Sequence, residues 1–138
     1  MTSDRAFDDG RHFTLVQLPG RLAVCRLSAQ EKIPEWACGS ELVSSMRTKD
    51  ELTVVCEEAG VPTGIQVEKG WRSLKVLGPL EFTMVGVLAT LAATLAAADV
   101  SIFALSSYDT DYFLVKEDDL DRAKQALVAA GHRLKESE

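Results

Sequence analysis

The sequence predicts an α+β fold, and the order of patterns in its second half carries that prediction. Two helical apolar periodicities alternate there with short β-rich runs, in the order strand, helix, strand, strand, helix, strand. This order is the split βαβ, or ferredoxin-like, arrangement. The first half offers several β-rich runs and little that favours a helix, so we expect it to be strand-rich.

Four candidate strands occupy the first half. Phe13–Leu18 and Arg21–Leu27 are separated by Pro19-Gly20, a dipeptide that favours a tight turn and therefore predicts a hairpin. Glu41–Arg47 and Glu51–Cys56 are the other two candidates.

The segment Gly60–Gly70 reads as a linker, because it combines Pro62 with three glycines and mixed charges,. We place the domain boundary within this segment. Residues 1–68 are expected to form a strand-rich unit, and residues 69–138 a complete second domain.

The longest helical pattern lies between Thr83 and Ala98. Large apolar residues at intervals of three and four predict its buried face: Met84, Val87, Leu88, Leu91 and Leu95. Small residues predict an opposite face that allows close packing: Gly86, Thr90, Ala93, Thr94 and Ala97.

Shorter elements surround this helix. Trp71–Leu77 is a predicted strand, and Val100–Leu105 with Tyr112–Val115 forms a predicted second hairpin,. A last helix is expected between Asp118-Asp119 and Gly131. His132-Arg133-Leu134 completes the pattern as an edge strand.

The composition of the chain argues against several classes of function. The chain has 138 residues, 46% of them apolar, and a formal net charge of −6, so it can bury a core but is a poor candidate for binding nucleic acid. The most apolar segment, Met84–Ala98, is too short to span a membrane. The N-terminus carries no apolar segment of signal-peptide length, and we expect a cytoplasmic protein.

The cysteines and histidines show no site motif. Cys25, Cys38 and Cys56 are widely spaced, and His12 and His132 are far apart in sequence,. We interpret the cysteines as reduced thiols and expect neither a metal site nor a cofactor.

Several segments resemble a known family. Val76-Leu77-Gly78, Thr83–Ala89 and Ala98–Ile102 are similar to the three landmarks of an ACT domain. Ser106–Val115 resembles the corresponding hairpin in bacterial relatives of the CASTOR amino-acid sensors. The resemblance implies a complete ACT domain in the second half, a divergent ACT-like unit in the first, amino-acid binding, and a homodimer.

A free amino acid needs donors for its carboxylate and acceptors for its ammonium group. The turn into the helix at Thr83–Gly86 offers unpaired N–H groups at the positive end of the helix dipole, and the second hairpin offers Asp111 with nearby hydroxyls. Chemistry and resemblance together predict these ligand-binding residues: Gly78, Thr83, Met84, Val85, Gly86, Ser106, Thr110 and Asp111. The arginine sensors have an acidic residue where Met84 stands, which disfavours arginine itself.

Structural interpretations of the same residues stay open. Gly86 can be a close-packing position, Thr83 a helix cap, and Ser106–Asp111 a polar turn. Trp36 and Trp71 are expected to be core or interface anchors.

The sequence leaves two other classes of function as alternatives to a sensor, an enzyme and an interaction module. An enzyme would rely on Cys25 or Cys56, or on the pair Glu57-Glu58, none of which has a partner at a defined spacing. An interaction module without a small ligand would rely on sheet edges and the small-residue helix face.

Overall fold

The computed structural model describes residues 11–78 and 86–136. Within these ranges the chain forms eight strands and two α-helices: β1 Thr14–Gln17, β2 Leu22–Leu27, β3 Ser44–Arg47, β4 Leu52–Glu57, β5 Gln66–Val76, α1 Val87–Ala97, β6 Phe103–Ser106, β7 Asp111–Lys116, α2 Leu120–Ala129 and β8 Arg133–Lys135. Short 3-10 turns precede β5 and α2, at Glu58–Gly60 and Glu117–Asp119.

The chain divides into two compact units. Pro19–Arg72 form the inserted unit, and the described residues before and after this segment form the main unit. This division differs from the expected boundary near residue 68, because the first strand belongs to the main unit. Strand β5 contributes its first residues to the inserted unit and Ser73–Val76 to the main unit.

The main unit is an open sheet in the order β8-β1-β5-β7-β6. Strand β1 runs antiparallel to β5 and parallel to β8, while β7 pairs with both β5 and β6. The α+β, ferredoxin-like fold class is thereby confirmed. The expected final strand is present, but it pairs with β1 and not directly with β5.

Both helices of the main unit pack on one face of this sheet. Their shared core consists of apolar residues from α1, α2 and the strands beneath them: Leu15, Leu74, Val76, Val87, Leu91, Leu95, Val100, Phe113, Val115, Leu120, Ala123 and Leu127. The buried stripe of α1 differs from the prediction at two positions. Leu88 is 45% exposed, whereas Thr90 is 6% exposed, so the stripe extends to the Thr90 side of Leu91.

The inserted unit is strand-rich, as predicted. Strand β4 lies between β2 and β3, and β2 also pairs with the first part of β5, all antiparallel. No α-helix occurs between residues 19 and 72, all of which the structure describes. The core of this unit contains Ala23, Cys25, Leu27, Leu52, Val54 and Cys56.

The predicted hairpin around Pro19-Gly20 is wrong. Strand β1 pairs with Leu74–Val76 of β5, and β2 pairs with Gln66–Trp71 of the same strand. The dipeptide does turn, with Gly20 at a φ of 88°, but the two strands that it joins each pair with β5 and not with each other.

The predicted linker Gly60–Gly70 is wrong over its last five residues, which begin β5. Val67 packs against the core of the inserted unit, and Gly70 adopts a φ of 83° within the strand. The Gly70 backbone N–H donates to the Glu58 carboxylate at 2.7 Å. Burial and this bond outweigh the low strand propensity of the glycine.

Candidate functional site

The hairpin between β6 and β7 brings two of the predicted ligand-binding residues together. The Ser107 N–H donates to the Thr110 carbonyl at 2.8 Å, and the Thr110 N–H donates to the Ser107 hydroxyl at 3.2 Å. This closed turn sets Ser106 opposite Asp111 in the sheet register. The Ser106 hydroxyl donates to Oδ1 of Asp111 at 2.6 Å, so it orients the carboxylate.

Thr110 has a structural partner. Its side chain is 5% exposed, and its Oγ1 donates to the Val76 carbonyl at 2.6 Å. The bond ties the start of β7 to the end of β5, two residues before Gly78. Thr110 therefore positions the hairpin. Because its hydroxyl proton is donated to β5, that proton is not available to a ligand.

The first turn of α1 has the features expected of an anion-binding helix end. Gly86 occupies the N-cap in a left-handed conformation with a φ of 85°, and no acidic residue lies in the first turn. The Gly86 carbonyl accepts from the Thr90 N–H at 2.8 Å, so the amides before Thr90 precede the helical hydrogen-bond ladder. The other residues predicted here, Thr83, Met84 and Val85, lie outside the described residues.

The hairpin lies on the face of the sheet that carries α1. Phe113 of β7 belongs to the core shared with α1, so Asp111, two residues earlier on the strand, lies on the helix-bearing face. The chain enters α1 after leaving the end of β5, where Thr110 is bonded. Asp111 and its partner Ser106 therefore lie on the face of the sheet against which α1 packs.

Sequence reasoning missed one polar group, the Thr90 hydroxyl. Thr90 is 6% exposed, and its Oγ1 has no hydrogen-bond partner among the described residues. A buried hydroxyl without a partner costs about 1–3 kcal/mol. The sequence signal was available, since Thr90 is a polar residue of the predicted helix one turn after Gly86.

The residues that an enzyme would use, Cys25, Cys56 and Glu58, lie in environments that do not favour catalysis. Burial is the main cause that raises the pKa of the Cys25 thiol, and burial with nearby thiols and Glu57 raises the pKa of Cys56 to about 12. At neutral pH these cysteines are protonated, which suppresses nucleophilic reactivity. Glu58 holds the Gly70 amide and lies 3.5 Å from the Arg21 guanidinium.

No cluster of three or more His, Cys, Asp or Glu side chains suited to a metal ion occurs among residues 11–78 and 86–136. In the same part of the chain, neither helix has the length and apolar character needed to cross a membrane.

Comparison with known proteins identifies the class of domain. Residues 66–129 match the family model of the ACT domain, and residues 20–64 match a second model that describes the N-terminal domain of a protein group. The chain therefore contains an ACT domain. Its structure also superimposes on that of Atu0741 from Agobacterium tumefaciens with a TM-score of 0.87 and 36% identity, covering 94% of this chain and 96% of that one. The chain belongs to the same family as Atu0741.

More distant relatives share parts of the chain or the fold alone. A human protein named "Cytosolic arginine sensor for mTORC1 subunit 1" is 38% identical over 58 residues, which are 41% of this chain and 18% of that protein. The matched segment thus spans less than a fifth of this curated relative. Clostridium acetobutylicum aspartate kinase, described as an allosteric enzyme, has a TM-score of 0.65 at 14% identity over 89% of this chain and 36% of its own.

Proposed function

We propose that this chain is a regulatory protein whose ACT domain binds a free amino acid between the first turn of α1 and the Ser106–Asp111 pair. The observation that supports the proposal most directly is the Asp111 carboxylate, which Ser106 orients on the face of the sheet that carries α1; the helix N-terminal amides are proposed to bind the other end of the same ligand. These groups are complementary to the two charged ends of an amino acid.

Each end of the ligand has a designated partner. The amides of the first turn of α1 receive the ligand's carboxylate, because no acidic side chain of that turn competes with it,. Asp111 receives the ammonium group through the oxygen that Ser106 does not occupy. Thr110 acts indirectly, since its bond to the Val76 carbonyl fixes where Asp111 stands. Gly78 follows that same carbonyl and borders the site.

The side-chain preference of the site is proposed to favour a neutral amino acid. The human relative's name makes it an arginine sensor, but the matching position here carries the thioether Met84 where that family has an acid. The buried Thr90 hydroxyl, which lacks a described partner, would suit a small polar ligand such as serine or threonine.

The experiment begins with a thermal-shift screen of the free amino acids, followed by calorimetry on those that raise the melting temperature. Asp111→Asn should weaken binding at least about tenfold, because it removes the charge that pairs with the ammonium group. Asp109→Asn is the matched control, since it lies in the same turn and is exposed. Equal affinities for the two variants would reject the role of Asp111.

A second measurement tests the orientation of the ligand. The N-acetylated form of the bound amino acid lacks the ammonium group, and its amide derivative lacks the carboxylate. Acetylation should weaken binding to the wild-type protein strongly and to Asp111→Asn very little, since the charge partner is already gone. Both proteins should lose affinity for the amide derivative to the same extent.

We further infer a homodimer in the cytoplasm, as the ACT resemblance implies, and light scattering on the purified chain measures the oligomer. The competing function is an interaction module without a small ligand. Its structural support is α1, which has no charged residue between Val87 and Ala97 and exposes Leu88. A screen in which no amino acid changes the melting temperature, with a partner protein that co-purifies and is lost on Leu88→Lys, would favour the module.

A further inference from the structure

A surface groove of about 490 Å³ lies beside β8 in the main unit. Its walls come from the ends of β1 and β5, the last turn of α2, and β8 itself: Thr14, Leu77, Val128, His132, Arg133, Leu134 and Lys135. None of the proposed amino-acid-binding residues lines it. Its volume is in the range that small molecules occupy in proteins.

Part of the groove surface is apolar and accessible. Val128 is 55% exposed and Leu77 is 36% exposed, which places both among the exposed large apolar residues of the described ranges. Leu134 is half-buried and packs against the core beneath them. An apolar group that covered Val128 and Leu77 would remove them from water, which is favourable.

The polar part of the groove is cationic. Arg133 pairs with Thr14 and Lys135 with Val16 in the parallel register of β8 and β1, so the two cations lie on one face of the strand, two residues apart. No carboxylate lies within ion-pair distance of either cation in the described part of the chain. By contrast, Arg21, Arg26, Arg122 and Lys124 each pair with an acid.

A buried imidazole supports this arrangement of the backbone. His132 is 4% exposed, and its Nδ1 accepts from the Phe13 N–H at 3.0 Å. The Arg133 N–H in turn donates to the Phe13 carbonyl at 2.9 Å. These two bonds hold β8 against β1, so Arg133 and Lys135 project from a strand whose backbone is fixed.

A second copy of the chain is a poor occupant of the groove. Strand β8 is at the edge of its sheet, and antiparallel pairing of two β8 strands about Leu134 would set the cations of one copy against those of the other. Like charges directly opposite each other destabilise such a pairing. Charge complementarity instead favours an anionic ligand in this groove.

We propose that this groove binds a small organic anion that has an apolar body. Its head group, a carboxylate or a phosphate, pairs with Arg133 and Lys135 and reaches the Thr14 hydroxyl. Its apolar body covers Leu77 and Val128. The groove is thus a second ligand site of the main unit, separate from the proposed amino-acid site.

Calorimetry or two-dimensional NMR with four probes tests this proposal on the full chain: acetate, hexanoate, hexyl phosphate and hexylammonium. Hexanoate and hexyl phosphate should bind, acetate should bind at least about tenfold more weakly because it lacks the apolar body, and hexylammonium should not bind. A stronger response to hexyl phosphate than to hexanoate would identify the head group as a phosphate, and the reverse would identify it as a carboxylate.

The variant Arg133→Gln/Lys135→Gln should lower hexanoate affinity about tenfold or more, because both charge-assisted contacts are lost. The matched control is Lys32→Gln/Lys49→Gln, which removes the same charge from exposed positions of the inserted unit and should leave hexanoate affinity unchanged. Amino-acid binding should be the same in both variants, so this site and the proposed function can fail independently. Equal binding of hexanoate and hexylammonium, an unchanged affinity in the first variant, or a change only in its oligomeric state would overturn the proposal.

Discussion

Alkaline pH should destabilise the inserted unit through its two buried thiols. In the register of β2 and β4, Ala23 pairs with Cys56 and Cys25 pairs with Val54, so the two cysteines are diagonal neighbours on adjacent strands. Both are 0% exposed. Each thiol influences the pKa of the other, and burial is the largest cause of the raised pKa of each.

The magnitude follows from the pKa of Cys56. The ordinary value of 9.0 is raised to about 12 in the folded protein, so the folded state holds its proton where the unfolded chain loses it. The stability associated with this thiol is fully present below pH 9 and is lost as the pH rises towards 12. The loss is about 1.4 kcal/mol per pH unit, or roughly 2.7 kcal/mol at pH 11. That is a substantial part of a typical domain stability of about 5–15 kcal/mol.

Urea unfolding followed by tryptophan fluorescence at pH 7 to 11, with a reductant present, measures this loss. Trp36 and Trp71 are the two tryptophans of the chain, and both lie in the inserted unit, so the signal reports that unit. Cys56→Ala should reduce the pH slope above pH 9 by about 1.4 kcal/mol per unit. Cys38→Ser, at an exposed thiol that is a smaller cause of the raised pKa of Cys56, should change the slope much less. An equal slope in wild type and Cys56→Ala would refute the reasoning.

Three further predictions concern single positions. Native alkylation at pH 8, read by mass spectrometry, should label the exposed Cys38 and leave the other two thiols unmodified until denaturant is added,. Gly131→Ala should lower the melting temperature more than Gly20→Ala, since both have positive φ but a Cβ at Gly131 would lie 2.6 Å from His12 Nε2, whereas Gly20 has no neighbour within 4 Å,. Thr110→Val should cost about 1–3 kcal/mol in chemical denaturation, because a buried backbone carbonyl of β5 loses its hydroxyl donor,; an unchanged midpoint would show that this bond does not hold the hairpin.

Local patterns predicted the elements of the main unit well. The β6–β7 hairpin and both helices are where apolar periodicity and the polar turn indicated, since these signals arise from neighbours in sequence. The site residues Ser106 and Asp111 meet for the same reason, because a closed turn forces the two ends of a hairpin together. The structural role of Thr110 could not be predicted in this way, because its hydroxyl donates to the carbonyl of Val76, 34 positions away in the sequence.

The predictions that failed depended on contacts between residues far apart in the sequence. Pro19-Gly20 favours a turn but does not specify which strand the next segment will pair with, and here both neighbours pair with β5. The prediction for Leu88 failed for a similar reason. Positions that flank a helical stripe are assigned by the angle at which the helix meets the sheet, and the sequence of the helix alone leaves that angle open.

One sequence feature does distinguish the observed topology from the expected hairpin. Leu15 and Val16 are adjacent in β1 and both are 0% exposed, although adjacent side chains of a strand point to opposite faces. A run of consecutive apolar residues is typical of a strand buried on both faces, whereas an exposed hairpin alternates apolar and polar residues. Leu15-Val16 therefore indicates a central strand, and a central strand needs two neighbours. Strands β5 and β8 are those neighbours. The sheet of the ACT domain therefore includes a strand from the opposite end of the chain, and residues 69–138 alone would lack the strand that joins β8 to the sheet.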